Sequence, residues 1–271
     1  MIFNTGRILG PAVAGVLISA VGTGWAFIGN AASSVGVLAA LVMMRPDELF
    51  RSPQLARSPG QLVEGLRYVR ARRDLILTMV LIFMFGTFGL NFAITCALMA
   101  KQVFHRGASG YGLLSTALAV GAVCGAVLAT RRSQRPSSMF LLGAAFAFSV
   151  AEILAGLMPT YLLTAIVLVP TGLAMLSVTT AANAHVQLGV EPTMRGRVMS
   201  LYLVCFLGGA PIGGPLIGWL AGSAGPRWGL IGGGLVCLLS AATLSAMLAR
   251  QRGMDVADVA ELVTTRVRTA A

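Results

Sequence analysis

Apolar residues gather into long blocks along this chain, and most of its charged positions fall in the gaps between them. Eight blocks can be drawn, at about 3–22, 25–44, 75–100, 110–130, 139–158, 161–187, 197–222 and 228–249. Each is near the about 20 residues needed to cross roughly 30 Å of hydrocarbon at 1.5 Å per residue. The pattern therefore predicts eight transmembrane helices and an all-α polytopic fold. Several blocks are parted only by turns as short as Gly22-Thr23-Gly24 and Pro159-Thr160. Such turns suit tight helical hairpins, because backbone groups must be satisfied before the chain reverses in lipid.

One connection is long. Within 45–73, Ser58-Pro59-Gly60-Gln61 has the form of a helix cap with proline at the first helical position. Leu62, Leu66 and Val69 then fall on one helical face, opposite much of the arginine-rich remainder. This predicts a short amphipathic helix lying on the membrane surface. A solvated linker is the other reading of the same residues.

Composition agrees with the blocks. Hydrophobic residues make up 56% of the 271 and charged residues 11%, against roughly 25% charged in ordinary globular chains. The net charge of +11 does not indicate nucleic acid, because the basic residues lie between apolar blocks and not with aromatics on one soluble face. Their placement orients the chain instead. The 45–73, 131–138 and 188–197 connections and the C-terminal tail hold sixteen arginines, while the opposite side holds only Lys101, Arg106 and Arg227. Arginine-rich loops stay inside, so both termini are expected in the cytoplasm. The first block, with Arg7 as its charged region, also has the outline of a secretory signal peptide. Its recurrence late in the chain argues against that.

Catalytic and metal chemistry find little support. Cys96, Cys124, Cys205 and Cys237 lie inside apolar blocks, where cysteine behaves as a small hydrophobe. His105 and His185 have no ligand-like neighbours in sequence, and no nucleophile–base set or His-Glu-x-x-His motif occurs. No cofactor and no enzymatic activity are expected. A single lysine, Lys101, among so much alanine, glycine and arginine hints at a GC-rich bacterial genome.

The chain also repeats itself. Shifted by 203 positions, Gly10 falls on Gly213, Gly15 on Gly218, Gly22 on Gly225, Trp25 on Trp228 and Met44 on Met247. The first two helices thus match the last two, with a six-helix period that is the plan of a twelve-helix transporter built from two similar halves. Gly6-x-x-x-Gly10-Pro11-x-x-Ala14-Gly15 resembles the antiporter motif of the major facilitator superfamily, with Gly214-Pro215-x-x-Gly218 as its second-half counterpart. Small residues at these spacings let helix backbones approach closely, and Pro11 removes a helical hydrogen bond. Gly125-x-x-Leu128-Ala129-Thr130-Arg131-Arg132 is similar to the family's cytoplasmic gating motif, with threonine in place of its aspartate. Arg195-Gly196-Arg197 resembles a loop of the drug- and siderophore-exporting branch that includes the enterobactin exporter.

The resemblance covers essentially the whole chain and implies its organisation. Residues 1–44 are then the last two helices of the first half, and 45–74 the central cytoplasmic loop with its short helix. Residues 75–250 are the complete second half, 251–271 a cytoplasmic tail, and the first four helices of the family's twelve are absent. Arg131, Arg132, Arg195 and Arg197 become gating-loop residues. The third and sixth blocks resemble the family's cavity-lining helices, which makes Thr87, Asn91, Thr95, Thr180, Asn183 and Gln187 substrate-cavity candidates. For these the alternative is ordinary hydrogen bonding between helices. Pro170-Thr171-Gly172 predicts an interruption at mid-membrane or a tolerated kink.

Glu152 is the acid well inside an apolar block. Placing a charge there costs at least roughly 2.5–3.5 kcal/mol, which makes it a functional candidate, here for proton coupling. Ser149 and Gly156 share its face, so the side chain is expected to point into protein. Two functions follow. The first is an export permease of a bacterial cytoplasmic membrane, exchanging small amphipathic drugs or siderophores for protons, with lipid, substrate and protons as its partners. The second is a truncated membrane protein without transport of its own, either a gene remnant or a structural partner.

Overall fold

The computed structural model describes residues 23–44, 61–130 and 135–252. Their regular structure is entirely helical: α1 (Thr23–Met43), α2 (Gln61–Ala71), α3 (Arg73–Met84), a π turn (Phe85–Gly89), α4 (Phe92–Leu98), a second π turn (Met99–Val103), α5 (Ala108–Thr130), α6 (Ser138–Leu157), α7 (Tyr161–Gly189), α8 (Pro192–Gly208), α9 (Ala210–Ser223) and α10 (Pro226–Arg252). Among the described residues six stretches are long and apolar enough to cross a membrane: Arg73–Val103, Ala108–Ala129, Ser138–Leu157, Tyr161–Gly189, Pro192–Ser223 and Pro226–Ala249. They correspond to the last six predicted blocks. The chain is an all-α polytopic membrane protein.

Block 25–44 appears as α1, with a shorter apolar stretch, Ile28–Met43. Its described side chains are exposed, and a methyl group added at Gly24, Gly29 or Gly36 would meet nothing within 4 Å. Block 3–22 lies outside the described residues, as do Gly6, Gly10, Pro11, Ala14 and Gly15 of the expected antiporter motif and Arg131 and Arg132 of the gating motif.

Glycines set the closest helix contacts. In lipid no hydrophobic drive pulls helices together, so van der Waals contact between small residues has to. Along the α5–α7 seam, a methyl at Gly121 would overlap the carbonyl oxygen of Val169. A methyl at Gly172 would overlap that of Leu118, and one at Gly125 would lie 2.8 Å from that of Leu173. The α6–α10 seam is alike: a methyl at Gly234 would lie 3.0 Å from the Ser149 carbonyl oxygen, and one at Gly156 would lie 2.7 Å from Ile231.

Side chains then fasten the ends. Ser137 and Thr160 cap α6 and α7, accepting from the backbone N–H of Phe140 at 3.1 Å and of Leu163 at 3.3 Å. At the end opposite the arginine-rich loops, Arg227 donates to the carbonyls of Gly156 and Met158 where α6 stops, the favourable end for a cation. Nearby, the Tyr161 hydroxyl donates to Gly110 at 2.8 Å while Arg106 lies 4.2 Å above its ring.

Two expectations take a definite form. No interruption occurs at Pro170, since α7 runs unbroken from Tyr161 to Gly189 with Pro170 inside it. Proline removes one helical hydrogen bond, but the tight seam with α5 holds the backbone on both sides. The predicted face of α2 is also divided. Gly65 lets α2 approach α8, with 3.3 Å between a methyl there and Arg197 Cβ, and Val69 is buried. Leu62 and Leu66, on the same face nearer the start of α2, are exposed.

Candidate functional site

The break absent from α7 occurs in the first spanning stretch. After Met84 the ladder widens, and Leu90 donates its N–H to Phe85 at 3.1 Å, five residues back. Leu90 and Asn91 then leave the α region, at φ −98, ψ 23 and φ −89, ψ 27, the sparsely populated bridge between α and β. The helix restarts at Phe92. Carbonyls freed by such a break must find donors in lipid. Asn91 supplies them, its Nδ2 donating to Thr87 at 2.8 Å and to Phe88 at 3.2 Å. Its side-chain oxygen faces Gly214 of α9, 4.0 Å from where a methyl would sit.

Thr87 and Thr95 flank this break but are committed to packing. Thr87 is buried, bonded to the Phe83 carbonyl at 2.7 Å and wedged against Gly209 and Gly213, where methyl groups would overlap it. Thr95 is buried against Gly229 and donates to the Asn91 carbonyl at 3.2 Å. Of the three, Asn91 alone is half-buried.

Glu152 of α6 reaches the same break from the other side. It lies 2% exposed, with Ser149 and Gly156 buried beside it. Fourteen residues separate it from Ser138, about 21 Å along the helix, which places it away from the arginine-rich end. A methyl at Gly233 would sit 3.3 Å from Glu152 Oε1 and 2.6 Å from the Phe88 carbonyl oxygen. One glycine-sized gap on α10 thus lies between the carboxyl and a carbonyl that Asn91 caps. Glu152 Oε2 is buried without a hydrogen-bond partner, and no cation pairs with the carboxyl among the described residues.

The polar stripe of α7 lies apart, toward the arginine-rich end. Thr180 donates to the Leu176 carbonyl at 2.6 Å, and Gln187 donates to Asn183 Oδ1 at 2.8 Å. Tyr202 of α8 reaches the neighbouring Thr179 carbonyl at 3.3 Å. No hydrogen bond joins this stripe to Asn91 or Glu152 among the described residues. Of the expected gating arginines, Arg195 is exposed at the start of α8, and Arg197 pairs with Glu64 of α2 at 2.6 Å.

The family model for transmembrane secretion effectors, transporters of the major facilitator type, matches residues 1–267. The chain belongs to that family. It is a transporter with several membrane spans. No curated protein and no solved structure matched the chain.

This secretion-effector chain carries a further polar cluster that sequence reasoning missed. Asp74, at the start of α3, pairs with Arg72 at 2.8 Å and with Arg135 at 3.1 Å, and His185 Nε2 lies 4.0 Å away. Arg72 also donates to the Gly189 carbonyl at 2.6 Å, and its hydrogen bond to Asp74 raises its pKa above the ordinary value. His185 Nδ1 lies 2.9 Å from the Pro136 carbonyl, and Arg135 donates toward Nε2 at 3.0 Å. A carbonyl can only accept, so Nδ1 carries the hydrogen and Nε2 is the acceptor of a neutral ring. The cluster clamps the start of α3, the connection before α6 and the end of α7. Its one sequence signal is an acid directly after two arginines at the head of an apolar block.

Proposed function

We propose that this transporter is an export permease of a bacterial cytoplasmic membrane, moving small amphipathic molecules such as drugs or siderophores outward in exchange for protons. Both termini and the arginine-rich loops lie in the cytoplasm. Asn91 and the stripe of Thr180, Asn183 and Gln187 contact substrate, while Thr87 and Thr95 hold the helices that frame it. Arg195 and Arg197 belong to the cytoplasmic gate, with the Asp74 cluster as a clamp on the same side.

One observation carries the reading: a buried carboxyl with an unpartnered oxygen packed against an interrupted membrane helix. An ionisable group inside a membrane span is expensive and marks ion or substrate pathways. Discontinuous helices near mid-membrane mark binding sites in transporters. Proton arrival at Glu152 changes its hydrogen bonding beside Phe88, whose carbonyl is held by Asn91. That links the proton to the residue nearest the break.

The test is transport of a fluorescent amphipathic dye by the purified chain in vesicles under an imposed pH gradient. Glu152→Gln is expected to abolish the dependence on the gradient. Asn91→Leu is expected to weaken dye handling, raising the half-saturating concentration more than Glu152→Gln does. Gradient-driven transport that survives Glu152→Gln would remove the proton role.

A further inference from the structure

The outer face of α2 has chemistry that neither the transport site nor the helix packing uses. Gly65, Tyr68 and Val69 turn toward the protein, and Glu64 is tied to Arg197. The adjoining outer face presents Leu62, Val63 and Leu66, exposed at 69, 59 and 49%, together with exposed Arg67 and Arg70. At 100° per residue these five positions span about 140° of one side, apolar residues interleaved with cations. Arg67 and Arg70 make no ion pair or hydrogen bond among the described residues, whereas nearby Arg72 and Arg197 are both engaged. Within α2 no acid lies on that face to compete.

Depth along the neighbouring helix locates the face. Gly65 packs on Arg197 and Leu201, five and nine residues into α8 and so within about 14 Å of its start at Pro192. The spanning stretch Arg73–Val103 begins two residues after α2 ends. The helix therefore sits alongside the first turns of two membrane spans, at the level where hydrocarbon gives way to headgroups. A helix with leucine and valine beside arginine at that level meets acyl chains and phosphates together.

We propose that the outer face of α2 binds the anionic phospholipids of the adjacent leaflet, Leu62, Val63 and Leu66 entering the acyl boundary and Arg67 and Arg70 holding lipid phosphates. The occupant is an anionic lipid and not a protein segment, because the free charges are both positive and lie within the apolar patch. Through Gly65 and the Glu64–Arg197 pair, lipid on one side of α2 bears on α8 on the other.

The test is hydrogen–deuterium exchange of the full chain in nanodiscs of phosphatidylcholine alone, in nanodiscs with one quarter phosphatidylglycerol, and in phosphatidylcholine with added soluble glycerol phosphate. At roughly 1 kcal/mol for each of the two arginines near an anionic surface, the α2 amides are expected to exchange about thirtyfold more slowly in the phosphatidylglycerol discs. Arg67→Gln/Arg70→Gln should erase that difference, and Leu62→Ser/Leu66→Ser should speed exchange in both lipids. Unchanged protection along α5 and α7 will show that the variants are folded. Equal α2 exchange in the two lipids, or a phosphatidylglycerol effect that survives loss of both arginines, would overturn the proposal. Slowing by soluble glycerol phosphate alone would overturn it too, by assigning the face to a free phosphate.

Discussion

Gly121→Ala is the sharpest test of how this bundle is held together. The added methyl points into α7 and overlaps the Val169 carbonyl oxygen, with the Val169 carbonyl carbon at 2.7 Å and the Leu173 nitrogen at 3.0 Å. Ordinary C–H···O contacts begin at about 3.3 Å. All three neighbours are backbone atoms, so no side-chain rotation relieves the overlap and the two helices must separate. Overpacking of this kind costs typically 1–3 kcal/mol, and a rigid neighbour places the cost at the upper end, about 3 kcal/mol. At 2–4 °C per kcal/mol for a chain of this size, melting should fall by roughly 6–12 °C. Cys96 and Cys237 are buried free thiols while Cys124 is exposed and Cys205 half-buried, so in a Cys124→Ser/Cys205→Ser background a thiol-reactive dye reports unfolding in detergent. Gly218→Ala is the matched control. Nothing lies within 4 Å of its added methyl, and replacing glycine inside a helix gains roughly 0.5–1 kcal/mol. It should melt at or slightly above the wild-type temperature. A Gly121→Ala protein melting within 2 °C of wild type would refute the idea that backbone contact at glycine fixes the α5–α7 seam.

Two further substitutions probe the two ends of the bundle. Asp74→Asn removes both ion pairs with Arg72 and Arg135, groups about one-third exposed, so about 1 kcal/mol is expected; the melting difference should shrink in high salt, and wild-type melting at low salt would count against the clamp. Arg227→Gln deprives the Gly156 and Met158 carbonyls of a charged donor, a loss of about 1.5–3 kcal/mol, read as faster hydrogen exchange at the end of α6; unchanged exchange there would show that the cap is dispensable.

Much of the fold was written in the order of residues. A span needs only length and apolarity, both local properties, so the last six blocks emerged as the six spans with ends shifted by a few residues. The buried orientation of Glu152 was legible for the same reason, because Ser149 and Gly156 follow it around one helical turn. The interruption was not. Proline at 170 is a strong local signal, yet α7 stays helical because Gly172 and Gly121 press it against α5. The helix opens instead at Leu90 and Asn91, where no proline stands and a side-chain amide repairs the exposed carbonyls.

Asp74, Arg135 and His185 show the same division. They are 61 and 50 residues apart in turn, and nothing in their local sequence announces that they meet. Composition and block pattern by themselves determined a membrane protein, its all-α class and the six spans found among the described residues. Only the tertiary structure decided which polar groups are consumed in packing and which remain unpartnered. Hydrocarbon demands that every backbone group be bonded, and whether Asn91, Thr87 or Glu152 has a partner depends on helices distant in sequence.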